Sequence, residues 1–170
     1  MVSIQNVVNH QARELIAKSD APEIADSLEW TFIEGRDTLE NASKDQLRAR
    51  FNAWAAEAAD VENPQRIKHP YGFYSIPRYN YFVHVDHDAL RSVAYDTPQP
   101  PELDLDCLGY VNFVKANWIP MGQILLAAGH SLEDDGETYE PIEGCSEEND
   151  GWMRLASINL TAGFYHSMLG

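Results

Sequence analysis

The chain has 170 residues, a formal net charge of -15, and enough aromatic residues, with four Trp, eight Tyr and six Phe, to exclude low-complexity disorder. Its 12 basic side chains against 27 acidic ones should repel phosphate backbones and anionic lipid, which argues against nucleic acid and membrane surfaces as partners. A chain of this length can bury a core of its own, and we expect a single domain over residues 1–170.

The N-terminal residues predict a first helix, because their apolar side chains recur at roughly helical spacing and fall on one face. These side chains are Ile4, Val7, Val8, Leu15 and Ile16. One face of this helix should therefore contribute to the core.

A second helix is predicted to follow at once. Asp20 is its expected N-cap, with Pro22 in the first turn and Glu23 closing a capping box. The helix should continue through the apolar residues that precede a stop at Gly35, namely Ile24, Leu28 and Phe32.

The third predicted helix covers residues 43–60 and has the clearest start signal. Ser43 is followed three residues later by Gln46, the spacing of a capping box. Apolar residues then recur at helical steps. We expect a buried stripe made of Leu47, Phe51, Trp54 and Ala58.

Strand patterns begin after an irregular connection. Residues 63–77 hold three prolines and a glycine, which predicts a stretch without regular structure. Residues 79–85 (YNYFVHV) are aromatic and β-branched on both faces, as expected of a central strand covered on both sides. Asp86 or Asp88 should then cap a short helix.

The C-terminal half adds two strands and a helix. Residues 110–118 (YVNFVKANW) alternate as a strand does, 152–158 form a third strand, and 160–169 can form a closing helix. Helices first and strands later predict an α+β fold. A helical N-terminal part, about residues 3–61, should pack on a small mixed or antiparallel sheet with short helices.

Charge is segregated along the chain. Residues 86–170 carry -12 of the net charge, and 133–150 contain nine acids without a Lys or Arg. Residues 63–85 contain no acid, three cations and six aromatic side chains. The acidic run is either a solvated loop or a surface that attracts a basic partner, and the aromatic segment is either core or a site that stacks an aromatic or anionic ligand. The three cations are Arg66, Lys68 and Arg78.

The densest group of reactive side chains follows the strand at 79–85. In extended geometry His84 and Asp86 share a face and could form a catalytic pair, the imidazole as general base and the carboxylate as its orienter. Arg78, Tyr81 and His87 are the candidate ligand-binding residues. The alternative is structural: Asp86 or Asp88 caps the next helix, His87 is solvated and His84 is a hydrogen-bonded histidine among aromatics.

Other candidate chemistry is weaker. A metal at His84 would need further ligands such as His69 or His130, but the spacing matches no metal pattern, so we expect neither metal nor cofactor. The sequence around Ser131 lacks the closing glycine of a nucleophile elbow. Cys145 lies among carboxylates and not in the electropositive setting of a reactive thiolate. No calcium loop or phosphate-binding loop is present in the sequence.

The N-terminal sequence lacks the basic and apolar regions of a signal peptide, and the longest apolar run, 124–128, is too short to span a membrane. We therefore expect a cytoplasmic protein. In a reducing compartment its two cysteines, Cys107 and Cys145, should be free thiols.

Three segments resemble small, uncharacterised intracellular proteins of filamentous fungi. They are residues 81–93 (YFVHVDHDALRSV), 109–114 with Trp118, and 141–148 (PIEGCSEE) with 151–153. The resemblance covers most of residues 30–160. It implies a single-domain cytoplasmic protein, and it implies neither an activity nor any catalytic residue.

Two functions remain open, and whether the protein is an enzyme is undecided at this point. The first is an acidic protein-interaction module that steers a basic protein partner electrostatically. The second is a small enzyme acting on a hydrophobic or aromatic small molecule through His84 and Asp86. A deep pocket beside His84 would favour the second, and a flat acidic face would favour the first.

Overall fold

The computed structural model describes residues 4–62, 76–130, 140 and 149–168. Within them the helices and strands are, in chain order, α1 (Ile4–Ala17), α2 (Arg36–Leu39), α3 (Lys44–Glu62), β1 (Tyr81–His84), α4 (His87–Arg91), β2 (Tyr110–Lys115), α5 (Met121–Ala127), β3 (Trp152–Ala156) and α6 (Ala162–Ser167). A helical N-terminal part with a small antiparallel sheet confirms the predicted α+β fold.

Within the described residues, the sheet has three antiparallel strands in the order β1-β2-β3. The prediction that residues 79–85 form a central strand is wrong, because β1 is an edge strand and its residues are only half-buried. β2 takes the central place, with Val111, Asn112, Phe113 and Val114 buried. β1 resembles a central strand in sequence because a helix covers it on each face.

One face of the sheet packs against α1 and α6. Its core contains Val8 of α1 together with Val111 and Phe113 of β2. The Phe113 ring stacks on Tyr81 at 5.0 Å and meets Phe164 of α6 edge-on at 5.0 Å. Apolar burial of this kind, at roughly 25 cal/mol per Å², fixes α1 and α6 on the same side of the sheet.

The other face packs against α3. The Phe82 ring stacks on Phe51 at 4.9 Å, so that successive residues of β1 contribute to opposite faces. The predicted capping box of α3 is confirmed, since Ser43 N–H donates to Gln46 Oε1 at 2.9 Å and Gln46 N–H donates to Ser43 Oγ at 3.3 Å.

The predicted buried stripe of α3 is only partly right. Leu47 and Phe51 are buried, but Trp54 and Ala58 are half-buried. From Phe51 onward the core positions fall at steps of four, and they are occupied by the small residues Ala55 and Ala59. Trp54 is displaced to the edge of the interface, where the Arg78 guanidinium lies 5.6 Å from its ring.

The predicted second helix is wrong. Pro22–Ser27 form a short 3₁₀ turn whose N-cap is Ala21, without a side-chain cap from Asp20, and from Leu28 to Gly35 the chain has no helix. A tertiary contact lies at this point, because Arg13 of α1 donates to the backbone carbonyls of Ala25 and Leu28 at the end of the 3₁₀ turn and so satisfies acceptors without a continuing helix. Ile24 and Phe32 are 44% and 50% exposed.

The remaining elements follow the sequence more closely. The strands expected at 110–118 and 152–158 are present but shorter, and the closing helix is α6. Asp86 caps α4, which continues as a π-helical turn over Ser92–Asp96. Helix α5 was not predicted, and none of its residues is buried. No helix among the described residues has the length and apolarity needed to cross a bilayer.

Candidate functional site

A cavity of about 880 Å³ lies at the outer edge of β1. All five consecutive residues 81–85 line it. Because side chains alternate between the two faces of a strand, contact with every residue shows that the cavity runs along the open edge of the sheet.

The walls of the cavity come from distant parts of the chain. Ile4 and Val8 of α1 lie on one side, and Phe51 and Trp54 of α3 lie on the other. The outer wall is the irregular segment 28–35, which contributes all eight of its residues. The lining is mainly apolar, as in most sites that bind organic ligands.

Side chains hold the outer wall in place. Leu28 is held by Arg13, whose Nη2 lies 3.4 Å from the Leu28 carbonyl oxygen, and Trp30 packs against the core under α1. Thr31 Oγ1 accepts from Arg78 at 3.2 Å, and Glu34 Oε1 accepts from Gln5 Nε2 at 2.8 Å. The wall is thus attached to α1 and to the turn before β1 at separate points along its length.

The cations of the cavity differ in how their charges are balanced. Arg78 forms a two-pronged ion pair with Glu62, at 2.8 and 2.9 Å. The hydrogen bonds from Arg78 and from the Tyr79 hydroxyl lower the pKa of Glu62 to about 2, and the same Glu62 hydrogen bond raises the pKa of Arg78. Arg50 also lines the cavity, and within the described residues no carboxylate lies at ion-pair distance from it.

Asp86 has a structural role. Its Oδ1 accepts from Ala89 N–H at 2.8 Å and its Oδ2 accepts from the Asn112 side-chain amide at 2.7 Å. Burial raises the pKa of Asp86, but these two hydrogen bonds and the nearby His84 and Lys44 outweigh burial and hold the pKa below its ordinary value. The carboxylate is therefore ionised and engaged as the N-cap of α4.

The structure brings together three of the five predicted site residues. His84, Tyr81 and Arg78 line the cavity. Asp86 and His87 are not among its lining residues, and His87 is exposed at the first position of α4. Among the described residues the site is therefore a mainly apolar cavity with the imidazole of His84 in its lining, and the carboxylate expected to orient that imidazole, Asp86, accepts from Ala89 and Asn112.

Sequence reasoning missed the outer wall. The sequence predicts a helix that runs through residues 28–35 (LEWTFIEG), although two carboxylates and four large apolar side chains alternate irregularly there. This mixture of carboxylates and large apolar side chains without helical spacing is the feature of the sequence that could have indicated a segment lining a site. Arg50 was missed because it lies on a helix that the sequence identified only by its apolar face.

Several sequence candidates lie outside the described residues. These are His69, Arg66, Lys68, Ser131 and Cys145. Of the acidic run 133–150 only residues 140, 149 and 150 are described, so its predicted exposure remains a prediction. Cys107 is a free, exposed thiol. Among the described residues, no three His, Cys, Asp or Glu side chains come together as metal ligands.

The chain was compared with protein families, curated proteins and solved structures. The resemblance of residues 30–160 to fungal proteins stays a prediction. No protein-family model, no curated protein and no solved structure matches the chain.

Proposed function

We propose that this protein is a binding module that takes an apolar ligand into the cavity along β1. The observation that supports it is the cavity itself, with a volume of about 880 Å³ and a mainly apolar lining of aromatic and aliphatic side chains. Ligand sites in proteins are concave, mostly apolar and roughly 300–1,000 Å³ in volume.

The proposal joins the two functions that the sequence left open. The proposed activity is binding, as in the interaction-module hypothesis. The proposed ligand lies beside His84, as in the enzymatic hypothesis. An electrostatic surface on residues 133–150 is a separate prediction, because most of that run lies outside the described residues. The cavity does not depend on it.

The test is binding of an apolar fluorescent probe, anilinonaphthalene sulfonate, by the native protein. Leu39→Trp should fill part of the cavity, because Leu39 is half-buried in its lining, and should weaken probe binding by about tenfold, which corresponds to ~1.4 kcal/mol. The matched control is Leu126→Trp, the same change at an exposed leucine of α5 that is not part of the lining.

Equal probe affinity in wild type, Leu39→Trp and Leu126→Trp would place the probe elsewhere and contradict the proposal. A melting temperature measured for each variant distinguishes a filled cavity from a disrupted fold. The filled variant should melt at or above the temperature of wild type if the indole is accommodated without strain.

An enzymatic alternative is favoured by one observation, that the imidazole of His84 lines the cavity. A general base must lie within hydrogen-bond reach of the bound substrate. If a bound aromatic compound is converted to a product detected by mass spectrometry, His84→Ala should abolish the conversion while probe binding survives. If no compound that binds is converted to a product, the enzymatic alternative is refuted and binding remains the proposed function.

A further inference from the structure

The outer edge of β1 carries backbone groups that point toward the cavity. Ala116 N–H donates to the Asn80 carbonyl at 2.7 Å directly beyond the β1–β2 ladder, in the position that continues the register of Tyr81 with Lys115 and Phe82 with Val114. Hydrogen-bonded pairs recur at every second residue, so Phe82 bonds to β2. The N–H and C=O groups of Tyr81 and Val83 therefore point the other way, toward the open edge.

No strand in the described part of the chain pairs with this edge. The segment 28–35 passes opposite it, and its backbone makes no hydrogen bond to β1 among the described residues. The cavity fills the space between them. An unpaired strand edge is a template on which a further strand can form.

The position of the cavity matches the place of a fourth strand. It is bordered by β1 on one side and by α1 and α3 on the two faces of the sheet, where apolar side chains of an added strand would be covered. Main-chain hydrogen bonds would supply affinity, and pockets for alternate side chains would supply selectivity. A compact small molecule would leave the polar groups of Tyr81 and Val83 unpaired.

The charged residues that line the cavity indicate which residues should flank the ligand. The carboxylates of Glu29, Glu34 and Glu40 line the cavity together with the cations Arg50 and Arg78. Arg78 is paired with Glu62, so the lining carboxylates outnumber the remaining cation, on a chain whose net charge is -15. Glu34 binds Gln5, a neutral partner that leaves its charge in place. Basic residues beside an apolar segment would complement this surface, and acidic residues would be repelled.

We propose that the ligand is an extended apolar segment of a partner protein, flanked by basic residues, which adds to β1 as a fourth strand. The proposal rests on the proposed function, since it names the class of ligand that the cavity takes. A basic protein partner would then be attracted by the carboxylates of the cavity, independently of the acidic run 133–150.

The experiment uses a pool of peptides with five core residues drawn from Val, Ile, Leu, Phe and Tyr, between two lysines at each end, on the immobilised full-length protein. A subset should be retained. Each retained peptide is then made in two forms, with N-methyl groups on the odd or on the even core amides. Only one form should lose affinity, by about tenfold or more, because an added strand turns alternate amides toward β1.

A protein variant tests the same edge. Val83→Pro removes the outward N–H of Val83 and no ladder bond to β2, since that N–H faces away from the neighbouring strand. It should weaken binding of the peptides by about tenfold. If Val83→Pro fails to fold, the pair of N-methylated peptides on wild-type protein still decides the question.

The charge argument has its own variant. Glu29→Gln combined with Glu34→Gln should weaken the binding of lysine-flanked peptides and reduce the dependence of their affinity on salt. Peptides with glutamate flanks should bind the wild-type protein more weakly than the lysine-flanked peptides do. Asp26→Asn combined with Asp37→Asn is the matched control, because both carboxylates are exposed and neither lines the cavity.

Two outcomes would overturn strand addition without touching the proposed function. Probe binding with no peptide retained up to about 1 mM would do so, as would equal losses from both N-methylated forms. A concentration-dependent dimer that Val83→Pro abolishes would show that the occupant is a second copy of the chain. Failure of both probe and peptides would refute the proposed function itself.

Discussion

Two carboxylates connect parts of the molecule that are distant in sequence. Asp86 caps α4 and also accepts from Asn112 of β2, and Glu62 at the end of α3 holds Arg78 and Tyr79 before β1. Each accepts hydrogen bonds from two partners, and hydrogen bonding of the charged form favours ionisation. Both residues therefore act on stability and on the position of β1.

Replacing Asp86 should be costly for a structural reason. Asp86→Ala removes a helix cap and leaves the amide of the buried Asn112 without its partner, so we expect a loss of about 2–4 kcal/mol in the free energy of unfolding. Asp86→Asn should lose less, because asparagine also caps helices. Urea denaturation measures both, and the exposed Asp88→Ala is the control. Equal stability of Asp86→Ala and Asp88→Ala would refute the assignment.

Glu62 should make stability depend on pH in the acid range. Its pKa is lowered from 4.5 to about 2 in the folded protein, so its contribution is present above the unfolded value and is lost as the pH falls toward the folded value. Glu62→Gln should be less stable than wild type by about 0.5–1 kcal/mol near neutral pH, because the ion pair is partly exposed.

The gap between Glu62→Gln and wild type should close between about pH 5 and pH 2, as measured by urea denaturation at a series of pH values. Glu57→Gln, an exposed change on the same helix, should show no such trend. A gap that stays constant over this range would show that the hydrogen bonds to Arg78 and Tyr79 are not formed in solution.

At the scale of elements, the junction of β2 and β3 depends on a close approach of backbone and indole. Gly151 has φ of +74° and lies directly against the Trp118 ring, where a Cβ atom would collide with the ring atoms. Arg48 of α3 stacks over the same ring at 4.9 Å and donates to the Asp150 carbonyl at 3.0 Å. The helix, the indole and the start of β3 thus form one packed unit.

Gly151→Ala should therefore destabilise the protein more than a positive φ alone explains. The control is Gly129→Ala, since Gly129 has φ of +81° but no atom within 4 Å of the added methyl group. The control should lose about 1–2 kcal/mol and Gly151→Ala clearly more, measured as melting temperature. Equal losses would mean that Trp118 moves aside freely.

At the scale of the whole molecule, the net charge of -15 opposes the compact state. Raising the salt concentration from about 10 mM to about 150 mM shortens the Debye length from about 30 Å to about 8 Å and should raise the melting temperature near neutral pH. The effect should vanish near pH 4.6, the isoelectric point expected from the sequence. A melting temperature independent of salt at neutral pH would show that the acidic residues are already neutralised by close cations.

The sequence by itself determined the features that depend on neighbouring residues. Ser43 and Gln46 are three positions apart, so the sequence alone indicates their capping box. It also indicates a short helix capped by Asp86 or Asp88 and a strand within residues 110–118, and the structure has the cap at Asp86 and the strand at Tyr110–Lys115. These patterns imply an α+β fold because short-range hydrogen bonds and side-chain periodicity require no knowledge of the remaining chain.

Only the tertiary structure decided three features: that the helix predicted after Asp20 is a short turn, that β1 lies at the edge of the sheet, and that a cavity exists beside it. Arg13 binds the carbonyls of Ala25 and Leu28 where the helical turn ends, and a helix on each face gives the edge strand β1 the composition of a central one. The cavity needs residues 28–35 to lie opposite 81–85, about fifty positions further along the chain. Such contacts depend on how α1 and α3 pack on the sheet, and local sequence does not specify that packing.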